Sequence, residues 1–254
     1  MKLTSRMKRI KALADGDGAV PLLHAFYKEG TGVCFEIRQL LDHHLSPGWW
    51  QAENPPVSKD YYKDAAFYRK RYNQVQLQEG HLMQAILDSG DLDGLLNTDL
   101  KNDLKRVSCM PRDLHCDLTT LPTEMAGPVH RVDRSEKEAL LSWIRNQFGE
   151  RWASQVEQAY ENRQDPPVFI YQKEGHIHGF ACYDVFDHRN GWFGPMGTSN
   201  DHREKGVGRA LLIHALHKMK QAGYKEVIIG QAGPIEFYEK CCRAELIPLE
   251  QGIE

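Results

Sequence analysis

The sequence predicts an α/β domain in the C-terminal half of the chain, behind a partly helical N-terminal region. Three observations predict it. From residue 128 onward, short apolar runs such as VFIYQ (168–172) and YKEVIIG (224–230) alternate with segments whose apolar residues recur at helical spacing. Two of the strand-like runs, VFIYQ and IHGFACYDVF (177–186), flank Lys173-Glu174-Gly175-His176, which reads as a hairpin. The stretch DHREKGVGRALLIH (201–214) then sets two glycines and three basic residues at the mouth of an apolar-periodic helix.

Length and charge bound the rest. The 254 residues suit one large domain or two small ones. A net charge of -3, with neither half basic, gives no support for a nucleic-acid partner. No stretch approaches the ~18 consecutive apolar residues of a membrane span, so no membrane partner is expected. The opening MKLTSRMKRIKALADGDG is basic but lacks an apolar run, and no signal peptide is read there. Six irregularly spaced cysteines point to reduced thiols and a cytoplasmic protein.

Along the chain, a helix is expected near Ile37 to His44. Pro47, Pro55 and Pro56 mark a loop around Trp49-Trp50, two rings read as core or interface. Ser58 is the expected cap of a helix through Tyr72, with a second helix to Leu87. The prolines between Cys109 and Pro128 suggest a linker. PVHRV (128–132) is a strand candidate, and Ser135 with Glu138 forms a capping box. Leu140, Ile144 and Phe148, then Trp152, Val156 and Ala159, fall at helical spacing on either side of Gly149, which predicts two helices. GWFGPMGT (191–198) reads as a strand that Gly194-Pro195 interrupts. Proline has no amide to give to a ladder, so a bulge or a splayed edge is expected there. A helix from Val207 to Gly223 follows, then a buried strand and a short helix opening at Pro234.

The first turn of a helix leaves amides unpaired at the positive end of its dipole, where an anion can sit. Gly206 and Gly208 remove side chains that would block approach, and Arg203, Lys205 and Arg209 add positive charge. A glycine pair before a helix is also an ordinary turn. The stretch lacks GxxxxGK[ST] and the third glycine of GxGxxG.

Arg203-x-x-Gly206-x-Gly208 resembles the R/Q-x-x-G-x-G/A signature of the GNAT superfamily of acetyltransferases. The order of elements over 128–248 and the Phe237-Tyr238-Glu239-Lys240 run extend that resemblance to roughly half the chain. It implies a GNAT-like mixed, mostly antiparallel central sheet flanked by helices over residues 126–254. Residues 1–125 are left as an acceptor-binding, dimerising or degenerate GNAT-like unit, with a homodimer left open. It implies acetyl-CoA as cosubstrate, held by backbone near Met196, Gly197 and Thr198 and by the turn Arg203, Glu204, Lys205, Gly206, Val207, Gly208 and Arg209. Tyr238 aligns with the family's usual general acid and also lines the cofactor site. The implied activity is transfer of acetyl to a primary amine, of a small molecule, by direct attack in a ternary complex. A non-catalytic acyl-CoA-binding or interaction module is the alternative, because Gly233 stands where the family often has Asn. Candidates for the base are Asp184, Asp187, His188 and Glu150. No metal is expected, since Cys109, His115 and Cys116 lack the CxxC spacing of zinc sites.

Overall fold

Helices fill the first 110 residues, and most begin where the sequence can pair the amides of a first turn. In α1 (Ser5–Leu13) the Thr4 side chain accepts from the Met7 amide. The next helix, α2 (Ala19–Glu29), stops at Gly30, whose φ of 58° suits a residue without a β-carbon. The expected helix at Ile37–His44 is the second half of α3 (Val33–His44). After a 3-10 turn at Trp49–Gln51, α4 (Tyr61–Arg71) is capped by Asp60, which accepts from the Lys63 amide. Ser58, the expected cap, lies outside the described residues, which are 1–53, 59–123, 127–185, 189–203 and 205–249 of this computed structural model. A capping box opens α5 (Glu79–Ser89), and Asn97 caps α6 (Thr98–Cys109).

The chain divides into two compact units, Met1–Arg112 with Leu246–Glu254 and Asp113–Glu245; the sequence reading sets the division at 125/126. The core of the first unit gathers Phe26, Ile37, Leu41, Leu82, Ile86 and Leu104, all buried. It also encloses charge, always paired: Arg6 donates to Glu79 at 2.7 Å, and Arg112 donates to both carboxylate oxygens of Glu36 at 2.9 Å. Between Met1 and Met110 the described residues hold no sheet, only an isolated bridge from Leu3 to Leu77.

The second unit is built on a sheet. Its first strand, β1 (Arg112–Asp117), lies inside the stretch that the prolines mark as a linker. The alternation of RDLHCD, with Leu114 and Cys116 buried, outweighs that proline signal. β2 (Val129–Arg131) precedes a 3-10 turn and α7 (Lys137–Phe148). The capping box there is Asp133 with Glu136, not Ser135 with Glu138, because the chain makes the 3-10 turn first; Glu136 accepts from the Asp133 amide at 2.9 Å. Gly149, at φ 91°, separates α7 from α8 (Glu150–Asn162). β3 (Val168–Lys173) and β4 (His176–Tyr183) form the expected hairpin, with φ of 53° at Glu174 and 77° at Gly175 as a primed two-residue turn requires. Then follow β5 (Trp192–Thr198), α9 (Val207–Gln221), β6 (Glu226–Ala232), α10 (Ile235–Cys242) and β7 (Glu245–Leu246).

The strand order is β2-β3-β4-β5-β6-β1-β7. β2 to β5 pair antiparallel, and β5 pairs with β6 in parallel. One face of the β2–β5 half is covered by α7 and α8 through Leu140, Ile144, Val156 and Tyr160, which meet Ile170, Phe180 and Cys182. The other face is covered by α9, which comes so close that a β-carbon on Gly179 of β4 would stand 2.8 Å from Leu211. Only glycine allows that approach.

Candidate active site

Two strands that should continue side by side separate in this fold. β5 pairs with β6 at Trp192↔Ile228 and Phe193↔Ile229, and no further registered pair follows among the described residues. On its other edge β5 stays paired with β4, through Met196↔Ala181, Gly197↔Phe180 and Thr198↔Gly179. Between Phe193 and Met196 the ladder slips, so that Gly194 and Pro195 stand opposite Cys182 alone. The interruption expected from Gly194-Pro195 is therefore both a bulge towards β4 and a parting from β6. At the far end of β6, Gln231 takes a φ of 49° and gives its amide to Asp113 of β1 at 2.7 Å. On its β6 edge the backbone of Met196–Thr198 thus faces the gap with no strand partner among the described residues.

The turn that follows β5 is pinned before the helix begins. His202 stacks on His178 with ring centroids 3.5 Å apart, and its Nδ1 is 2.8 Å from the Ser199 hydroxyl. Arg203 Nε donates to the Thr198 carbonyl at 3.2 Å. α9 then starts at Gly206, which has a φ of 83° and, among the described residues, no atom within 4 Å of where a β-carbon would be. Its two signature glycines do different work. Gly206 is exposed and leaves the helix mouth open, whereas Gly208 faces inward, where a β-carbon would meet Thr198 Oγ1 at 3.3 Å and Phe237 at 3.6 Å. Val207 is buried in the core, and Lys205 and Arg209 are exposed beside the helix mouth. Glu204 lies outside the described residues.

Tyr238 sits on α10, buried, next to Phe237. Among the described residues nothing accepts from its hydroxyl, and burial pushes its pKa above the ordinary range, with the nearby Cys242 and Cys241 adding to the rise. The base candidates fare differently. Asp184 is not a surface group: it is buried, accepts from the Gly191 amide at 2.7 Å and the Tyr224 hydroxyl at 2.8 Å, and holds the chain between β4 and β5. Glu150 is exposed and bound to Arg145, whose charge and hydrogen bond lower its pKa. Asp187 and His188 lie outside the described residues. His115 and Cys116 are neighbours in β1 and point to opposite faces, His115 to Glu226 at 3.0 Å and Cys116 to the Cys242 carbonyl. Among the described residues no three potential ligands gather as a metal requires, and no helix is long and apolar enough to cross a membrane.

Residues 137–242 match the model of the Acetyltransferase (GNAT) family. This stretch is a GNAT domain. Solved structures with partial likeness include a fungal multi-domain GH3 β-N-acetylglucosaminidase described as having a GCN5-related glucosamine N-acetyltransferase region, at 15% identity and a TM-score of 0.47, covering 54% of this chain and 20% of that one. Another is a GCN5-related N-acetyltransferase from Sphaerobacter thermophilus, at 18% identity and a TM-score of 0.43, covering 54% and 49%. A third is a GNAT-family acetyltransferase from Colwellia psychrerythraea, at 12% identity and a TM-score of 0.44, covering 58% and 59%. The chain therefore spans between a fifth and about three-fifths of the length of these proteins. No curated protein matches it.

Of the residues that the sequence singles out for the cofactor, Met196–Thr198 lie on β5 and Arg203 and Lys205–Arg209 on the turn and the first turn of α9, while Tyr238 lies on α10 and Glu204 outside the described residues. Asp113, which accepts the Gln231 amide where β6 ends, was hidden in the apparent linker.

Proposed function

We propose that this chain is an acetyl-CoA-dependent N-acetyltransferase acting on a primary amine of a small molecule. The observation that carries the reading is the parting of β5 from β6 beyond Phe193↔Ile229, immediately before an open helix mouth at Gly206. An acyl carrier with a peptide-like arm and a pyrophosphate needs both features. Unpaired strand groups at Met196–Thr198 would serve the arm. The amides from Lys205 to Arg209 at the helix mouth, with Arg203, Lys205 and Arg209 around them, would serve the anion. The GNAT match of residues 137–242 supports the same reading.

When bound, acetyl-CoA supplies an activated acetyl group as a thioester. The chain's own part is to hold the amine against it, to direct a strand amide of β5 at the oxygen where charge develops, and to keep a proton ready for the departing sulfur. Tyr238 suits the last task, because burial keeps its hydroxyl protonated and, among the described residues, no acceptor holds that proton. Gly233, in place of the frequent Asn, favours the alternative of a module that binds an acyl-CoA without turnover.

Isothermal titration with acetyl-CoA tests the binding half. Wild type is expected to bind in the micromolar range, and Gly206→Glu to lose that binding by placing a carboxylate in the anion site. Gly206→Asn is the control, since it tolerates the positive φ without adding charge. A folded wild type that does not bind sinks the reading. Binding with no thiol release for any primary amine supports the non-catalytic module instead.

A further inference from the structure

Two cysteines that the proposed reaction does not use meet beside the helix that carries Tyr238. Cys116 is a residue of β1 and Cys242 the last residue of α10, and both are buried. Both thiols are free. The Cys116 thiol donates to the Cys242 carbonyl at 3.6 Å. The proton of the Cys242 thiol has two acceptors, the Tyr238 carbonyl one turn back at 3.3 Å and the Cys116 sulfur. The Cys242 thiol lowers the Cys116 pKa against the opposing effect of burial, so Cys116 is the sulfur of the pair that more readily sheds its proton. The helix between this pair and Tyr238 is short. α10 has eight residues and ends at Arg243, a residue with a side chain held at a φ of 57°. A helix end of that kind opens more readily than a central strand does.

We propose that Cys116 and Cys242 form a redox pair: hydrogen peroxide joins them in a disulfide, which ties α10 to β1 and slows turnover at Tyr238. The Cys116 thiolate attacks one oxygen of the peroxide, the O–O bond breaks, and the departing hydroxide is protonated to water, which leaves Cys116 as a sulfenic acid. The Cys242 sulfur then attacks the sulfenic sulfur, an S–S bond forms and the S–O bond breaks. The Cys242 proton goes to the departing hydroxide, which leaves as a second water. The two thiols together lose two electrons, and one peroxide is reduced to two waters. Because both sulfurs are buried, the first step waits for the end of α10 to open. A disulfide holds its sulfurs about 2 Å apart, so Cys242 must give up the Tyr238 carbonyl to reach Cys116. That hydrogen bond spans the last turn of α10, and Tyr238 begins that turn. The crosslink therefore displaces the residue placed as the acid, while the mouth of α9 that serves the anion carries neither cysteine. The effect on turnover rests on the acetyltransferase reading above, and the crosslink itself does not.

The test treats the full chain with a small excess of hydrogen peroxide, removes the excess with catalase, and counts thiols after denaturation. The count is expected to fall by two from the six of the reduced chain. After free thiols are blocked, trypsin is expected to yield residues 113–131 joined to residues 241–243. Cys241 shares the second peptide, so Cys241→Ser is expected to keep the link, and Cys116→Ala and Cys242→Ala to lose it. On oxidation, kcat for a primary amine, read as coenzyme A released, is expected to fall about tenfold or more, since a small displacement of a catalytic group costs that much. Dithiothreitol restores it, Cys116→Ala keeps its kcat through the peroxide treatment, and titration shows acetyl-CoA bound equally before and after. Six thiols still free after peroxide overturn the pair, as does a link between Cys241 and Cys242 in place of the expected one. The expected link with kcat unchanged overturns the switch. A folded, reduced chain that binds no acetyl-CoA overturns the acetyltransferase reading, and the thiol count and the peptide link still decide the pair.

Discussion

A β-carbon on Gly197 would stand 2.5 Å from Cζ of Phe148. The ring cannot retreat, because Trp143, Trp152 and Phe180 surround it with centroids 5.1 to 5.8 Å away. Gly197→Ala is therefore expected to cost about 1–3 kcal/mol in urea unfolding, as overpacking does. In a Phe148→Ala background the same substitution is expected to cost much less. Equal costs in both backgrounds would show that the ring does not set the requirement for glycine.

Tyr238 gives a prediction about pH. Its pKa is raised in the folded chain, so the proton stays on the hydroxyl up to and beyond the ordinary tyrosine value near 10. As the acid, it should not limit kcat between pH 8 and 10. Tyr238→Phe is expected to lower kcat by about 10²–10⁴-fold, the range of a lost acid, with acetyl-CoA affinity kept. A fall in wild-type kcat centred below pH 10 and absent from the Phe variant would contradict the raised pKa.

The elements nearest the candidate cofactor site were the most legible. The hairpin at Glu174-Gly175, the interruption at Gly194-Pro195 and the glycine mouth of α9 are each dictated by a local backbone rule, and a local rule can be read from neighbours in sequence. What the sequence concealed depends on distant partners. β1 is a strand because its buried edge residues find a sheet, and six residues of modest alternation among prolines do not announce that. Asp113 is held in place only because β6 turns its Gln231 amide towards it. Asp184 reads in the sequence only as a candidate base, because its partners, Tyr224 and the Gly191 amide, are not adjacent to it in sequence. The first unit was least legible of all. Its charged residues look like surface, yet Arg6, Glu79 and Arg112 are buried because they find one another or Glu36 across the fold.

Arg112 is the strongest of those buried charges. It is 2% exposed, donates through two nitrogens to Glu36, and also gives hydrogen bonds to the carbonyls of Val107 at 2.9 Å and Ile247 at 2.8 Å. Arg112→Ala strands the Glu36 carboxylate and two carbonyls. It is expected to destabilise the chain by about 3–5 kcal/mol, the cost of breaking a buried pair on one side. The double variant Arg112→Met with Glu36→Leu is expected to recover a large part of that loss. A double variant as unstable as Arg112→Ala would place the cost in lost packing rather than in the stranded charge.

His81 predicts how the first unit responds to acid. It is buried at the start of α5, its Nδ1 accepts the Gln78 amide at 3.1 Å, and its pKa is pushed down to about 4 by burial first and by Arg69 second. The unfolded chain titrates this group near 6.5. Between 6.5 and about 4 the unfolded chain therefore binds a proton that the folded chain does not, and stability must fall as pH drops through that window. The full contribution is present above 6.5, and it is lost progressively until about pH 4. Protonation also removes the lone pair that closes the capping box, so the same event frays α5. Part of the ring remains within reach of water, so the expected loss between pH 7 and pH 4.5 is about 2 kcal/mol, below the full linkage value. Urea midpoints for wild type and His81→Gln measure it, since glutamine can accept the same amide without titrating. The wild type should lose stability to acid beyond what His81→Gln loses, and parallel losses would assign the acid response to other groups.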